Sequence, residues 1–156
     1  MTYEKIDRLI EITREKNRLL KSMLTFTERQ KEEIVKDAYD NLGISLSEKD
    51  KIIEEIDKLD RAFLKIFTDI KAKHSIENID QLDAEQYPNL KELKQAVEEV
   101  SSTLLAISLL DKENTKAMKE KLEKAKMEIS RLKSGRKAYK GYNYKYSESM
   151  LIDEKK

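Results

Sequence analysis

Between Ile52 and Ile70 apolar side chains fall at alternating steps of four and three: Ile52, Ile56, Leu59, Phe63, Ile66 and Ile70. That spacing draws one narrow seam down an α-helix and cannot be laid on a strand, whose faces repeat every two residues. Ile53 and Phe67 flank the seam. A helix of this kind needs other helices to cover it. The rest of the chain can supply them, because only 3 Gly and 1 Pro occur in 156 residues. Hairpins and sheets require more turn residues than that. With 40 % charged and 38 % hydrophobic residues and no Trp, the composition is that of long helices around a thin core. One domain is expected.

Residues 3–42 read as a first helix. Ile6, Ile10, Thr13, Leu20, Leu24, Thr27, Ile34 and Ala38 form its stripe, interrupted at Asn17 and Lys31. The stretch 40–50, DNLGISLSEKD, is the first punctuation, with Gly43 suited to a helix end and Ser45 or Ser47 to a cap. A second helix over 47–73 carries the heptad seam. An irregular connection over 74–88 leads to Pro88, which suits the first turn of a third helix over 89–134. Leu90, Leu93, Val97, Val100, Leu104 and Ile107 form the first seam of that helix. After the polar step Asp111-Lys112-Glu113-Asn114 a second seam follows: Met118, Leu122, Ala125, Ile129 and Leu132. The 11-residue step from Ile107 to Met118 reads as a stutter, where the helix changes neighbours.

The expected fold is therefore all-α: an elongated antiparallel three-helix bundle or coiled coil over 1–134, with a long third helix. Residues 135–156 are expected to form a non-helical C-terminal tail, rich in Tyr and basic residues.

Catalytic chemistry finds no footing in this inventory. The absence of Cys excludes disulfides and thiolate sites. His74, the one histidine, stands at a helix end and is expected to be solvated. Acids such as Glu54, Glu55, Asp57 and Asp60 alternate with lysines as solvated helix pairs rather than as a general acid and base. No glycine-rich loop could cradle phosphate. Neither enzyme activity nor a cofactor nor a metal is expected. No apolar run reaches a membrane span, and the N-terminus lacks a secretory pattern, so membrane insertion is not expected and a cytoplasmic location is.

Charge is distributed unevenly. Residues 1–111 carry 18 Lys/Arg against 24 Asp/Glu, whereas 112–146 carry 12 against 4. Within the basic end, Tyr139, Tyr142, Tyr144 and Tyr146 crowd together, and Leu151 and Ile152 follow. Three readings are open for this tail: a frayed end, a nucleic-acid grip, or a protein-contact segment. Tyrosines give large amphipathic surface at low entropy cost, which favours protein contact. The near-neutral whole chain and the absence of a nucleic-acid-binding motif speak against nucleic acid. The second seam and the tail together (Met118, Leu122, Ala125, Ile129, Leu132, Tyr139, Tyr142, Tyr144, Tyr146, Leu151, Ile152) are the expected partner-binding residues. A structural adaptor that homodimerises through the same stripe is the alternative.

The chain resembles the flagellar export chaperones of the FlgN type. The resemblance is carried by the lysine-started heptad stretch Glu48-Lys49-Asp50-Lys51-Ile52-Ile53-Glu54-Glu55-Ile56-Asp57-Lys58-Leu59. It is carried also by the acidic-Asn step Asp111-Lys112-Glu113-Asn114, by Tyr139, and by the finish Ile152-Asp153-Glu154-Lys155-Lys156. Gly43 departs from the family pattern. The resemblance implies a cytoplasmic chaperone that binds helical terminal segments of hook–filament junction proteins and delivers them to the flagellar export gate.

Overall fold

The computed structural model describes residues 1–149, with side chains through Gly141. Three long helices account for most of it: α1 (Thr2–Val35), α2 (Tyr39–His74) and α3 (Leu90–Ser149). A single 3₁₀ turn, Ile79–Gln81, interrupts the connection between α2 and α3. No strand occurs among the described residues. The chain divides into two compact units, Met1–Asn114 and Thr115–Lys156.

Within Met1–Asn114 the three helices pack as a bundle. Polar contacts at both ends give their directions. Thr2 meets His74 and Glu33 meets Ser45, so α1 and α2 are antiparallel. Arg14 meets Glu92 and Asn17 meets Thr103, so α3 runs parallel to α1. One apolar cluster joins Ile6, Leu9, Ile10, Ile70, Leu82 and Leu93, with Phe63, Ile66, Ile76, Ile79, Tyr87 and Leu90 packed against it. A second joins Leu20, Met23, Ile56, Val100 and Ile107. Both draw on the α2 heptad seam, as its spacing requires.

The first helix stops at Val35, short of the expected 42, and Gly43 lies inside α2. Asp37 does what the glycine was expected to do. It adopts a left-handed conformation (φ 55°), the Ala38 N–H donates to Glu33 O and the Asp37 N–H to Ile34 O. This is a Schellman end, in which two orphan carbonyls find donors. Aspartate is one of the few residues other than glycine that tolerates the left-handed region. Ser75 (φ 52°) ends α2 in the same way, with the Ile76 N–H donating to Lys71 O. Ile76 then packs into the first apolar cluster.

The third helix also differs at both ends. Pro88 precedes it, and Asn89 provides the first acceptor, taking the Leu93 N–H at 3.0 Å. At the other end the helix does not stop at 134: it runs to Ser149, so residues 135–149 of the expected non-helical tail are helical. The physical reason is the absence of a stop. Gly135 and Gly141 cost about 1 kcal/mol each in a helix interior, but no proline follows them and, among the described residues, no left-handed cap does. Good helix formers, Arg136, Lys137, Ala138 and Lys140, stand between the two.

The register of α3 inside the bundle also departs from expectation. Leu93, Ala96, Val100, Ile107 and Asn114 are buried, whereas Val97 and Leu104 remain 43 % exposed. Asn114, one heptad past Ile107, carries the buried register across the polar step without a shift, and Asp111 reaches Lys49 from the flank that holds Val97 and Leu104. The stutter expected between Ile107 and Met118 falls one step later, as two successive steps of four, Asn114 to Met118 to Leu122. Asn114 is also the last buried residue of α3 among those whose burial is described.

Candidate functional site

Beyond Asn114 the described part of α3 is one continuous helix whose side chains are almost all open to solvent. Met118 is half-buried. Leu122 is 54 % exposed, Ile129 53 % and Leu132 72 %. Ala125 is exposed as well. Steps of four, three, four and three bring all five expected residues onto one face of the helix. Tyr139 lies one heptad past Leu132 on the same face and is exposed. Between them Arg136 occupies a seam position. Met127 is exposed on the opposite side of the helix.

Tyr142, Tyr144 and Tyr146 fall within α3, and their side chains are not described. Leu151 and Ile152 lie outside the described residues. The structure therefore brings Met118, Leu122, Ala125, Ile129, Leu132 and Tyr139 together. An exposed apolar row of this length loses solvation free energy for as long as it stays uncovered, at roughly 25 cal/mol per Å² of apolar surface.

The surroundings of this row are basic. Residues 115–149 hold 11 Lys/Arg and 4 Asp/Glu. Lys133, Arg136, Lys137 and Lys140, with Ser130 and Ser134, line a shallow concavity of about 420 Å³ on the helix surface. No group of acids and histidines among the described residues could hold a metal ion. Among them, too, no helix is long and apolar enough to cross a membrane.

Two features of the bundle were not anticipated from the sequence. The first is a polar layer at the end nearest Asn114. Lys49 is buried and donates to Gln30 Oε1 and to Asp111 Oδ1, both at 2.9 Å. The Asn114 amide donates to the Thr27 carbonyl at 3.0 Å, and Ser45 donates to Glu33 at 2.7 Å. The signal was available: Ser45 and Lys49 continue the α2 seam backwards by steps of four and three. The second is His74, which is half-buried rather than free in solvent. Its Nε2 lies 2.8 Å from Thr2 Oγ1, and its ring meets Tyr87 edge-on.

A further pocket within the bundle, about 180 Å³, is lined by Ile12, Thr13, Phe63, Val97 and Val100, with Lys16 and Asp60 paired at 2.7 Å beside it. Its wall is mostly apolar and its one charged pair is already matched. Thr13 and Ser101 add hydroxyls to its lining, that of Thr13 donating to the Leu9 carbonyl at 2.7 Å.

The three-helix architecture agrees with the resemblance drawn from the sequence. Comparison with curated proteins and with solved structures returned no match. The model of the FlgN protein family matches residues 1–148, so the chain belongs to that family and carries, in general terms, its role as a flagellar export chaperone.

Proposed function

We propose that the apolar row Met118, Leu122, Ala125, Ile129 and Leu132 receives the amphipathic terminal segments of hook–filament junction proteins before their assembly. The observation that supports this is the solvent exposure of Leu122, Ile129 and Leu132 on one helical face. A client helix laid along that row buries both apolar faces, which is helix recognition through i, i+3, i+4, i+7 anchors. Such client ends are disordered until they assemble, so ordering them on the chaperone lowers the net affinity. Moderate affinity is what a carrier needs, because the cargo must be released at the export gate. Tyr139 continues the same row, and Tyr142, Tyr144, Tyr146, Leu151 and Ile152 are proposed as further contacts with client or gate. The protein acts in the cytoplasm and does no catalysis.

Titration of C-terminal peptides of junction proteins onto the wild type and onto Leu122→Asp/Ile129→Asp tests this reading. Placing two carboxylates in the row is expected to weaken binding at least about tenfold, since each buried aliphatic side chain contributes roughly 1.5–3 kcal/mol. Equal affinity of the two proteins would remove the reading. A second reading is favoured by the heptad spacing itself, which is that of a coiled-coil seam: the row pairs two copies in a homodimeric scaffold. Sedimentation at micromolar concentration separates the two. A tight dimer that the double substitution dissociates supports the scaffold.

A further inference from the structure

One residue after Met118, Ala125, Leu132 and Tyr139 stands a lysine each time: Lys119, Lys126, Lys133 and Lys140. These four repeat every seven residues, so they form a single row immediately beside the apolar one. All four are exposed, and none forms an ion pair among the described residues. The opposite flank holds Lys121, Glu128 and Gly135, and has no common sign. Arg136 places a further cation in the seam itself. In a coiled-coil contact the rows flanking the seam decide which partner is accepted and in which direction it runs.

A second copy of this chain does not satisfy that row. Antiparallel pairing on this face would set the lysine row against itself, and like charges directly opposite each other are unfavourable. Parallel pairing would set it against Lys121, Glu128 and Gly135, which gives one repulsion, one attraction and one neutral position. Neither arrangement neutralises the row.

We infer that this face selects an amphipathic helix whose own flank carries Asp or Glu at seven-residue spacing, opposite Lys119, Lys126, Lys133 and Lys140. The inference rests on the client reading above and states the chemistry of the client segment. Lys140 lies 21 positions after Lys119, about 32 Å along the helix, so the acidic row must persist over about three heptads. The apolar row supplies most of the affinity, and the lysine row supplies discrimination and faster association.

The test uses the full chain and two synthetic amphipathic helices with the same leucine seam, one with glutamate and one with lysine along the flanking row. The glutamate peptide is expected to bind about tenfold more tightly, the combined effect of four exposed ion pairs. Raising salt well above 0.15 M is expected to erase most of that preference, because the Debye length falls to about 3 Å at 1 M. Lys119→Glu/Lys126→Glu/Lys133→Glu/Lys140→Glu should reverse the preference, and the same four changed to Gln should abolish it. Circular dichroism should show helix content retained, since all four positions are exposed.

Equal binding of both peptides to the wild type overturns the inference. So does a glutamate preference that survives the charge reversal. Binding of a single-stranded oligonucleotide or of phosphatidylserine vesicles that the reversal abolishes, without peptide discrimination, overturns it in favour of a polyanion surface. The client reading is judged separately. If Leu122→Asp/Ile129→Asp loses both peptides while the wild type binds them equally, only the charge inference fails.

Discussion

Lys49 shows how one residue can tie three helices. Its ammonium is held by Gln30 of α1 and Asp111 of α3, and its stem lies buried in α2. An ammonium out of bulk water must find partners, and two oxygens at 2.9 Å provide them. Lys49→Ala strands the buried Gln30 amide, so unfolding in urea should show a loss of about 1–3 kcal/mol. Ser75 offers the opposite case. It holds a left-handed conformation that glycine adopts without steric cost. Ser75→Gly is expected to raise the unfolding free energy by about 1 kcal/mol. A midpoint that does not rise in thermal or urea unfolding would count against that account.

The elements were set by periodicity more than by punctuation. The α2 seam was legible from six residues, and its burial follows the expected spacing: Ile56 and Ile70 are buried, and Phe63 and Ile66 pack against the core. Helix ends were less legible. Gly43 looked like a stop, yet it lies inside α2 with nothing within 4 Å of an added Cβ. Glycine in a helix interior costs backbone entropy, so Gly43→Ala should stabilise the protein by roughly 0.5–1 kcal/mol in denaturant unfolding. The true break falls at Lys36–Ala38, where no glycine or proline marks it. There the end depends on Asp37 accepting a left-handed conformation, which local composition did not single out. The extension of α3 to Ser149 follows the same logic, since two glycines without a cap weaken a helix and do not end it.

At the scale of the whole molecule, stability and the proposed binding surface are largely separate. Among the residues whose burial is described, all the buried ones belong to Met1–Asn114, whereas Leu122, Ile129 and Leu132 are exposed in Thr115–Lys156. Changes at exposed positions ordinarily shift stability by less than about 0.5 kcal/mol. Leu122→Asp/Ile129→Asp should therefore leave the unfolding midpoint nearly unchanged while client binding falls. A comparable drop in both would mean that the stripe is part of the core.

From its own pattern the chain determined three helices, the seam of α2, the basic character of 112–146 and the apolar row from Met118 to Leu132. Each of these depends on residue type and spacing along one helix, which a linear sequence states in full. The tertiary structure decided which side of α3 faces the bundle, so that Ala96 and Asn114 are buried while Val97 and Leu104 stay open. It also decided that Lys49, Gln30 and Asp111 meet, although 62 residues separate Lys49 from Asp111. A heptad offers adjacent positions that are nearly equivalent for burial. The choice between them is made by the side chains of the neighbouring helices, which are distant in sequence and become neighbours only in the folded bundle.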